Sequence, residues 1–246
     1  MSNHSNFRAQ KNSTDVQAIE STWERILYED NHLIIYNKRP SEIVQADQTG
    51  DIPLSDKLKQ YLKVKYHKPG NVFLGVVHRL DRPVSGALIF ARTSKALSRL
   101  NEMLRCGDIR KVYWALVRNK PPQDSGKLSG YISRDKQKNK SFISDRPGKG
   151  IREASLDYRI IGHSNRYYLM EIILLTGRHH QIRAQLAFIG CPIRGDLKYG
   201  YPRTNPGGFI HLHSRTIEFI HPVTKEEIKV SAPLPADPLW QLFNQE

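Results

Sequence analysis

Short apolar stretches separated by turn-forming residues run through most of the chain, and they limit its possible folds more than any other feature. The segments "ILYEDNHLIIYN" and "YRIIGHSNRYYLMEIILL" each contain two apolar runs around a polar turn, a pattern typical of two strands in a hairpin. We therefore predict strands at Ile26–Tyr28 and Leu33–Asn37, and a second pair on either side of "GHSN". The runs "GALIFA" and "KVYWALV" predict further strands, and "HLHSRTIEFIHPVTKEEIKVSA" predicts two more around a turn.

Three segments have the spacing of amphipathic helices. Apolar residues recur every three or four positions in "PLSDKLKQYLKVKY" and in "TSKALSRLNEMLRCG", where Thr93 or Ser94 would be the N-cap and Gly107 follows the end. The third segment, "RHHQIRAQLAFIG", is predicted to carry Arg178, His179 and Arg183 in its first turns. Because strands and helices follow one another without βαβ alternation, we predict an α+β fold with a largely antiparallel mixed sheet.

Length and composition favour one large domain. The chain has 246 residues, of which 39% are hydrophobic and 25% charged, as in globular proteins that bury a core. Residues 1–20 are polar and aperiodic, so we expect a flexible tail there and one domain over 21–246. No apolar run approaches the roughly 20 residues of a membrane helix, and no signal region opens the chain. These features favour a cytoplasmic protein with no membrane partner.

The charge of the chain points to a polyanionic partner. Thirty-eight Lys and Arg residues against 24 Asp and Glu give a net charge of +14. A field of this sign concentrates polyanions at the surface, which makes nucleic acid the leading partner class. The segment from 120 to 150 is rich in Pro, Gly, Ser and Lys. We interpret it as a long, basic, hairpin-like insertion that could contact phosphates.

Neither a metal nor a nucleotide cofactor is indicated. Only two cysteines occur, far apart, so neither a disulfide framework nor a cysteine zinc site is expected. His211 and His213 are two residues apart, but no carboxylate or cysteine spacing supports a site that would add His179, His180 and Cys191. The GxxxxGK[ST] and GxGxxG phosphate-binding loops are both missing from the sequence.

The segment "HRLDRPVSG" places one carboxylate, Asp81, between Arg79 and Arg82, directly ahead of the apolar run "ALIFA". Arginines within a few ångströms would keep this carboxylate ionised, as a nucleophile or base requires. A surface ion pair is an equally good explanation of this motif by itself, since neighbouring Arg and Asp residues commonly form one.

Two further segments favour a functional site. In "TGRHHQIR", Arg178 and Arg183 lie near a predicted helix N-terminus, where the backbone already attracts anions. Arg183 follows Ile182 of the inner apolar stripe, so it could reach the core edge and pair with Asp81. Tyr113 shares a strand face with small apolar residues and could stack on a base; an ordinary core aromatic is the alternative.

Together these segments resemble the RluA family of RNA pseudouridine synthases. The resemblance rests on "HRLDRPVSGALIFART", "RKVYWALV", "TGRHHQIRAQLAFIGCPIRGDLKYG" and "LHSRTIEFIHP", in this order, and extends over about residues 24–240. It implies the pseudouridine synthase fold, with helices flanking the sheet and a central cleft. Two departures are evident, since the family often has Thr where His179 stands and Ala where Ser214 stands.

The resemblance also implies roles for individual residues. Asp81 would be the catalytic carboxylate, Tyr113 the ring against the target base, and Arg183 the salt-bridge partner that orients Asp81. Arg79 would fill the space left by the flipped nucleotide. Further RNA contacts are predicted for Arg82, Lys111, Arg178 and His180.

The implied activity is isomerisation of specific uridines in rRNA or tRNA to pseudouridine, without cofactor or metal. The base would leave the helical stack to reach Asp81. We expect a monomer whose substrate choice rests on the catalytic domain, without a separate N-terminal RNA-binding domain. Two alternatives remain open on the sequence: a non-catalytic RNA-binding module that keeps the fold, and a uracil glycosylase.

Overall fold

Eleven strands form one mixed sheet in residues 23–144 and 146–243, the part of the chain described by this computed structural model. The predicted flexible tail at 1–20 lies outside these residues. The strands are β1 Ile26–Glu29, β2 Leu33–Lys38, β3 Gly75–Val76, β4 Ser85–Ala91, β5 Arg110–Val117, β6 Ser125–Asp135, β7 Lys140–Ser144, β8 Arg152–His163, β9 Tyr168–Leu174, β10 Leu212–Ile220 and β11 Glu227–Ser231.

Four α-helices and two 3₁₀ turns accompany the sheet within the same residues. The helices are α1 Leu54–Lys65, α2 Ser94–Cys106, α3 Gln181–Phe188 and α4 Pro238–Gln241. The 3₁₀ turns are Leu197–Tyr199 and Pro206–Gly208. None of these helices combines the length and the apolar character that a membrane span needs.

The order of the strands confirms the predicted α+β fold. The sheet runs β1-β2-β4-β10-β5-β9-β8-β6-β7, with β11 added beside β10 and β3 beside β4. Neighbouring strands in the described chain are antiparallel, apart from the short parallel pairing of β4 with β10. That pairing is decisive for the site, because it brings the strand after Asp81 to the middle of the sheet.

The local signals predicted most elements correctly. The hairpins β1–β2 and β8–β9 occupy the predicted positions, and the turn in each is polar. Helix α2 begins at the predicted cap, where the Thr93 side chain accepts the Ala96 N–H at 3.1 Å. It ends at Gly107, which adopts a left-handed φ of 84°. Both caps satisfy backbone groups that a helix end leaves unpaired.

The basic segment from 120 to 150 forms the predicted hairpin, but it is not a separate insertion. Strand β6 pairs with β8 from Ser125 to Ile132, and β7 then closes the edge of the same sheet. Strand β8 pairs with β9 on one side, and its backbone N–H and C=O groups on the other side need hydrogen-bond partners. Strand β6 supplies them. The hairpin therefore forms one wall of the sheet.

Alternating residues of the central strands supply a core on each face of the sheet. Ile34 and Leu88 face a cluster that includes α1, whereas Ile35 and Ile89, the next residues along each strand, face one that includes α2. Strands covered on both faces need apolar residues at every position, and all seven residues of β4 are buried. This rigid centre supports the loop that carries Asp81.

Helix α3 begins later than predicted, at Gln181. Arg178 and His179 therefore precede the helix, and the prediction that they lie in its first turns is wrong. His180 has a left-handed φ of 53°, and the Gln181 side chain accepts both the Arg178 N–H and the Thr176 hydroxyl proton, at 3.1 and 2.7 Å. This side-chain cap fixes a tight turn before the helix, which helical periodicity does not reveal.

Candidate active site

The loop between β3 and β4 carries Asp81, and a buried lysine holds its backbone. Lys38 at the end of β2 is 1% exposed, and its Nζ lies within 3.2 Å of the carbonyl oxygens of Arg39, Asp81, Arg82 and Val84. Burial lowers the pKa of Lys38 to about 7. Sequence reasoning missed this residue, although a lysine ending an apolar strand just before Pro40 was an available signal.

Two more residues of the segment "HRLDRPVSG" fix the loop from either end. The Ile89 N–H donates to His78 Nε2 at 3.2 Å, so the imidazole continues the pairing of β3 with β4. Burial, followed by the charge of Lys111, lowers the pKa of His78 to about 3, which keeps the ring neutral. At the other end Gly86 has a φ of 111°, and a Cβ there would lie 2.3 Å from the carbonyl oxygen of Ser214. Only glycine permits this approach of β4 to β10.

Asp81 and Arg183 meet, although 102 residues separate them in sequence. Arg183 Nη1 donates to Asp81 Oδ2 at 2.9 Å. The Arg183 side chain is 5% exposed and that of Asp81 is 27% exposed. The Oδ1 atom of Asp81 accepts no hydrogen bond from any group in the described part of the chain. One oxygen is therefore held while the other is free to face a ligand.

A second carboxylate, Asp196, binds the other side of the same guanidinium. Arg183 Nε and Nη2 donate to its two oxygens at 2.7 and 2.9 Å, and Asp196 is 1% exposed. Burial lowers the pKa of Arg183, but the hydrogen bonds and charges of Asp196 and Asp81 outweigh it and raise the pKa. Sequence reasoning missed Asp196, which lies inside the "GDLKYG" portion of the segment quoted for the family resemblance.

His180 packs beside Asp81. Its Nε2 is 3.4 Å from Asp81 Oδ2, and its Nδ1 is 3.0 Å from the Tyr199 hydroxyl. His179 stacks on it with ring centroids 3.8 Å apart. Burial, then the charge of Arg183, lowers the pKa of His180 to about 2, so the ring is neutral at physiological pH. The side chain predicted as an RNA contact is 6% exposed and touches the carboxylate.

Tyr113 lies on β5 in the same cleft and is 6% exposed. As predicted, it shares its strand face with Ala115 and Val117, which belong to one core cluster. Burial, together with the charge of Asp81, raises the pKa of Tyr113 to about 12. Its hydroxyl therefore stays protonated, and Tyr113 and Asp81 both line the cleft.

A cleft of about 1450 Å³ contains every predicted site residue. Arg79 and Arg82 are exposed on its rim, and Arg82 pairs with Asp51 at 2.6 Å. Lys111 is 9% exposed, whereas Arg178 donates its Nε to the carbonyl of Glu153 at 2.9 Å. The cleft wall also carries cationic residues that the sequence did not single out: Arg105, Arg110, Arg134 and Lys198. This arrangement suits a polyanion laid over a partly apolar floor.

The two histidines weighed as metal ligands have other partners. His211 is bonded to Asn205 and Asp237 at 3.1 and 2.9 Å. His213 lies 2.8 Å from the Ser85 hydroxyl. Among residues 23–144 and 146–243, no group of three or more His, Cys, Asp or Glu side chains could hold a metal ion.

Sequence comparisons find relatives over most of the chain. The family model for RNA pseudouridylate synthase matches residues 32–188. A ribosomal large subunit pseudouridine synthase C from Buchnera aphidicola subsp. Acyrthosiphon pisum is 36% identical over 222 residues, covering 87% of this chain and 68% of the relative. The uncharacterized RNA pseudouridine synthase YlyB of Bacillus subtilis is 32% identical, covering 86% and 69%. The chain thus spans about two thirds of the length of these relatives.

Solved structures share the fold. Human RNA Pseudouridylate Synthase Domain Containing 4 superposes with a TM-score of 0.75 at 23% identity, covering 92% of this chain and 94% of that one. Human RNA Pseudouridylate Synthase Domain Containing 1 gives 0.66 at 22% identity, covering 87% and 84%. Since the family model matches more than half of the chain and both sequence relatives exceed 30% identity, the chain belongs to the RluA family of RNA pseudouridine synthases, which are isomerases.

Proposed function

We propose that this protein converts uridine to pseudouridine in ribosomal RNA, with Asp81 as the catalytic carboxylate and without a cofactor. The observation that carries the proposal is the position of Asp81, which is held through Oδ2 by Arg183 and faces the cleft with Oδ1 unbonded in the described chain. The choice of ribosomal RNA rests on the name of the Buchnera relative, a ribosomal large subunit pseudouridine synthase.

The reaction needs no external reagent. The bond between uracil N1 and ribose C1′ breaks, the uracil turns, and a bond forms between C5 and C1′. The hydrogen on C5 leaves as a proton and N1 gains one, so atoms and electrons balance within the nucleoside. Asp81 can assist by attacking C1′ or by removing the 2′ proton, and both routes use its free oxygen.

The other cleft groups have supporting roles in this proposal. Hydrolytic glycosidases usually employ two carboxylates, one of which activates water. Asp81 and the exposed Asp47 are the acidic residues among the described cleft-lining residues, and Asp47 is engaged by Thr49. The Tyr113 ring would stack on the uracil, a contact worth about 1–3 kcal/mol per base. Arg79 would occupy the gap left by the flipped nucleotide, and flipping costs a few kcal/mol.

The basic rim would hold the RNA backbone. Arg82, Lys111 and Arg178 line the cleft together with four cations on its other walls. Phosphate contacts of this kind supply affinity and orientation without sequence information. We further predict that the protein acts as a monomer in the cytoplasm.

Mapping of pseudouridine tests the proposal. Ribosomal RNA from a strain lacking the protein is incubated with the purified chain, and we expect new pseudouridine at one or a few positions. Asp81→Asn should abolish the signal while RNA still binds. Asp47→Asn is the matched control, because it removes an exposed carboxylate from the same cleft, and it should keep full activity.

Other outcomes would replace the proposal. Release of free uracil would identify a glycosylase, and RNA binding without any modified position in any cellular RNA would identify a binding module. Undiminished activity of Asp81→Asn would exclude the assigned role of that carboxylate.

A further inference from the structure

We infer that the turn Gly195–Gly200, "GDLKYG", is a positioning element for Asp81, acting through Asp196 on Arg183 and through Tyr199 on His180. Both side chains come from one short segment, and each holds one of the two neighbours of Asp81 Oδ2. The inference rests on the proposed function and adds to it two positioning residues that do not touch the substrate.

Asp196 determines where the guanidinium of Arg183 points. Its two oxygens take Nε and Nη2 in a planar fork, and this leaves Nη1 for Asp81. A bidentate pair fixes direction as well as distance. Asp196 also balances the guanidinium charge, so the three groups together carry one net negative charge. The arginine therefore orients Asp81 while its charge is shared with Asp196.

Tyr199 determines which nitrogen of His180 carries the proton. The Tyr199 hydroxyl accepts the Ser141 N–H at 2.8 Å, so its own proton is available for His180 Nδ1 at 3.0 Å. Because the ring is neutral, its single proton must then lie on Nε2, which faces Asp81 Oδ2 at 3.4 Å. In the opposite tautomer a lone pair would face the carboxylate, which is repulsive.

The turn is itself rigid, as a positioning element must be. The Asp196 carbonyl accepts the N–H groups of Tyr199 and Tyr201 at 3.1 and 3.0 Å. Gly195 has a φ of 87°, and a Cβ there would lie 2.2 Å from Asn205 Nδ2. The Tyr199 ring also stacks under the guanidinium of Arg183, with 5.0 Å between the arginine Cζ and the ring centroid. The two arms of this element, Asp196 with Arg183 and Tyr199 with His180, therefore form one packed unit.

The first arm is tested with a double-mutant cycle on turnover. Asp196→Asn keeps the shape but loses one acceptor, and we expect kcat to fall about a hundredfold, the effect of a misplaced catalytic group. KM and RNA affinity should stay unchanged. In an Arg183→Gln background the same change should cost nothing further, since Asp196 acts through that arginine.

The second arm is tested with Tyr199→Phe, which removes the hydroxyl that holds His180. We expect kcat to fall about tenfold without a change in KM, since the net contribution of one hydrogen bond corresponds to a rate change of this size. Tyr201→Phe is the matched control, because Tyr201 faces Arg194, and it should retain wild-type turnover. Thermal melting of each variant shows whether it is folded at the assay temperature. If Asp196→Asn is unfolded, the kcat of Tyr199→Phe decides whether the turn positions Asp81.

The outcomes separate this inference from the proposed function. A wild-type protein that makes no pseudouridine in any RNA would refute the proposed function. An active wild type with an inactive Asp81→Asn variant, but with wild-type kcat in Asp196→Asn and Tyr199→Phe, would overturn only the positioning role. Losses that multiply in the Arg183→Gln background would also overturn it, because a general structural defect acts independently of Arg183.

Discussion

Asp81 and Glu29 lie in comparable surroundings at two separate places in the molecule. Each is a carboxylate with an arginine at salt-bridge distance and polar ring groups nearby. Glu29 ends β1 and accepts hydrogen bonds on both oxygens: Tyr61 and Lys65 donate to Oε2, and Tyr66 and Arg92 donate to Oε1. Asp81 has partners on Oδ2 alone within the described residues.

The difference lies in how completely each carboxylate is satisfied. Burial raises the pKa of Glu29, but the hydrogen bonds from Lys65, Tyr61 and Tyr66 outweigh it and lower the pKa. A fully bonded carboxylate ties elements together and offers nothing to a ligand. Asp81 keeps one free oxygen beside a large cleft, which is what a nucleophile or base requires. The comparison therefore distinguishes a fully bonded, structural cluster from one that the proposed function makes reactive, although the two contain similar groups.

The largest expected effect separates the two carboxylates by activity. Asp81→Asn should lower the rate of pseudouridine formation at least about 10³-fold, as removal of a central catalytic group does. Glu29→Gln should leave turnover unchanged, because its network lies outside the Asp81 cleft. Single-turnover rates on the same RNA measure both, and equal losses in the two variants would remove the distinction.

The next effect concerns the arginine that pairs with Asp81. Arg183→Lys keeps the charge but cannot reach both Asp81 and Asp196 with a planar fork. We expect kcat to fall about 10²-fold, in the range found when a group that stabilises charge is removed. RNA affinity, measured by filter binding, should change little. A variant with normal kcat would show that charge alone suffices.

The third effect concerns the hydrogen bonds of Glu29, which we expect to contribute to the stability of the fold and not to turnover. Glu29→Gln weakens several hydrogen bonds to charged and phenolic donors, and we expect a loss of about 1–3 kcal/mol in the free energy of unfolding at pH 7. The folded pKa of Glu29 lies below its ordinary value of 4.5. Its contribution is therefore present above pH 4.5 and is lost as the pH falls through the lowered folded value.

Urea denaturation at pH 7 and at about pH 3 measures this dependence. The stability gap between wild type and Glu29→Gln should narrow at the lower pH, because the contribution of the ionised Glu29 declines once the pH falls below the unfolded pKa. A gap that is equally wide at both pH values would show that the ionised carboxylate is not what stabilises the cluster.

The smallest effect concerns the cleft rim. Arg178→Ala should weaken RNA binding a few-fold without changing kcat. If Arg178 contacts one phosphate of a single-stranded segment, the slope of log affinity against log salt concentration should drop by about 0.7. Lys138→Ala, at the exposed tip of the β6–β7 hairpin, is the comparison that shows whether the cleft rim or the general charge matters. Equal slopes for both variants would favour general charge.

Sequence patterns were sufficient where structure is local. The turn residues predicted the β1–β2 and β8–β9 hairpins, and Thr93 and Gly107 bounded α2 as expected. The family resemblance, which rests on four separate segments, predicted the convergence of Asp81 with Arg183, 102 positions apart in sequence. For the hairpins and for α2, a short motif carries enough information to specify the geometry.

Sequence patterns failed where the position of a side chain depends on partners that lie elsewhere in the sequence. The buried position of Lys38 depends on four carbonyl oxygens, three of them in the Asp81 loop. Asp196 could have been a surface acid, and only the fold places it against Arg183. The start of α3 was misplaced because the Gln181 side chain caps the preceding turn. Contacts of this kind do not affect the periodic pattern of apolar residues from which helices and strands are predicted.

The release of the C5 hydrogen is the most direct test of the central claim, that Asp81 drives rearrangement of uridine. RNA carrying tritium at uridine C5 is mixed with excess enzyme, and both tritiated water and free uracil are measured over time. We predict one tritium released for each pseudouridine formed, no free uracil, and no release with Asp81→Asn although that variant binds the RNA. Tritium release by Asp81→Asn at the wild-type rate would contradict the account.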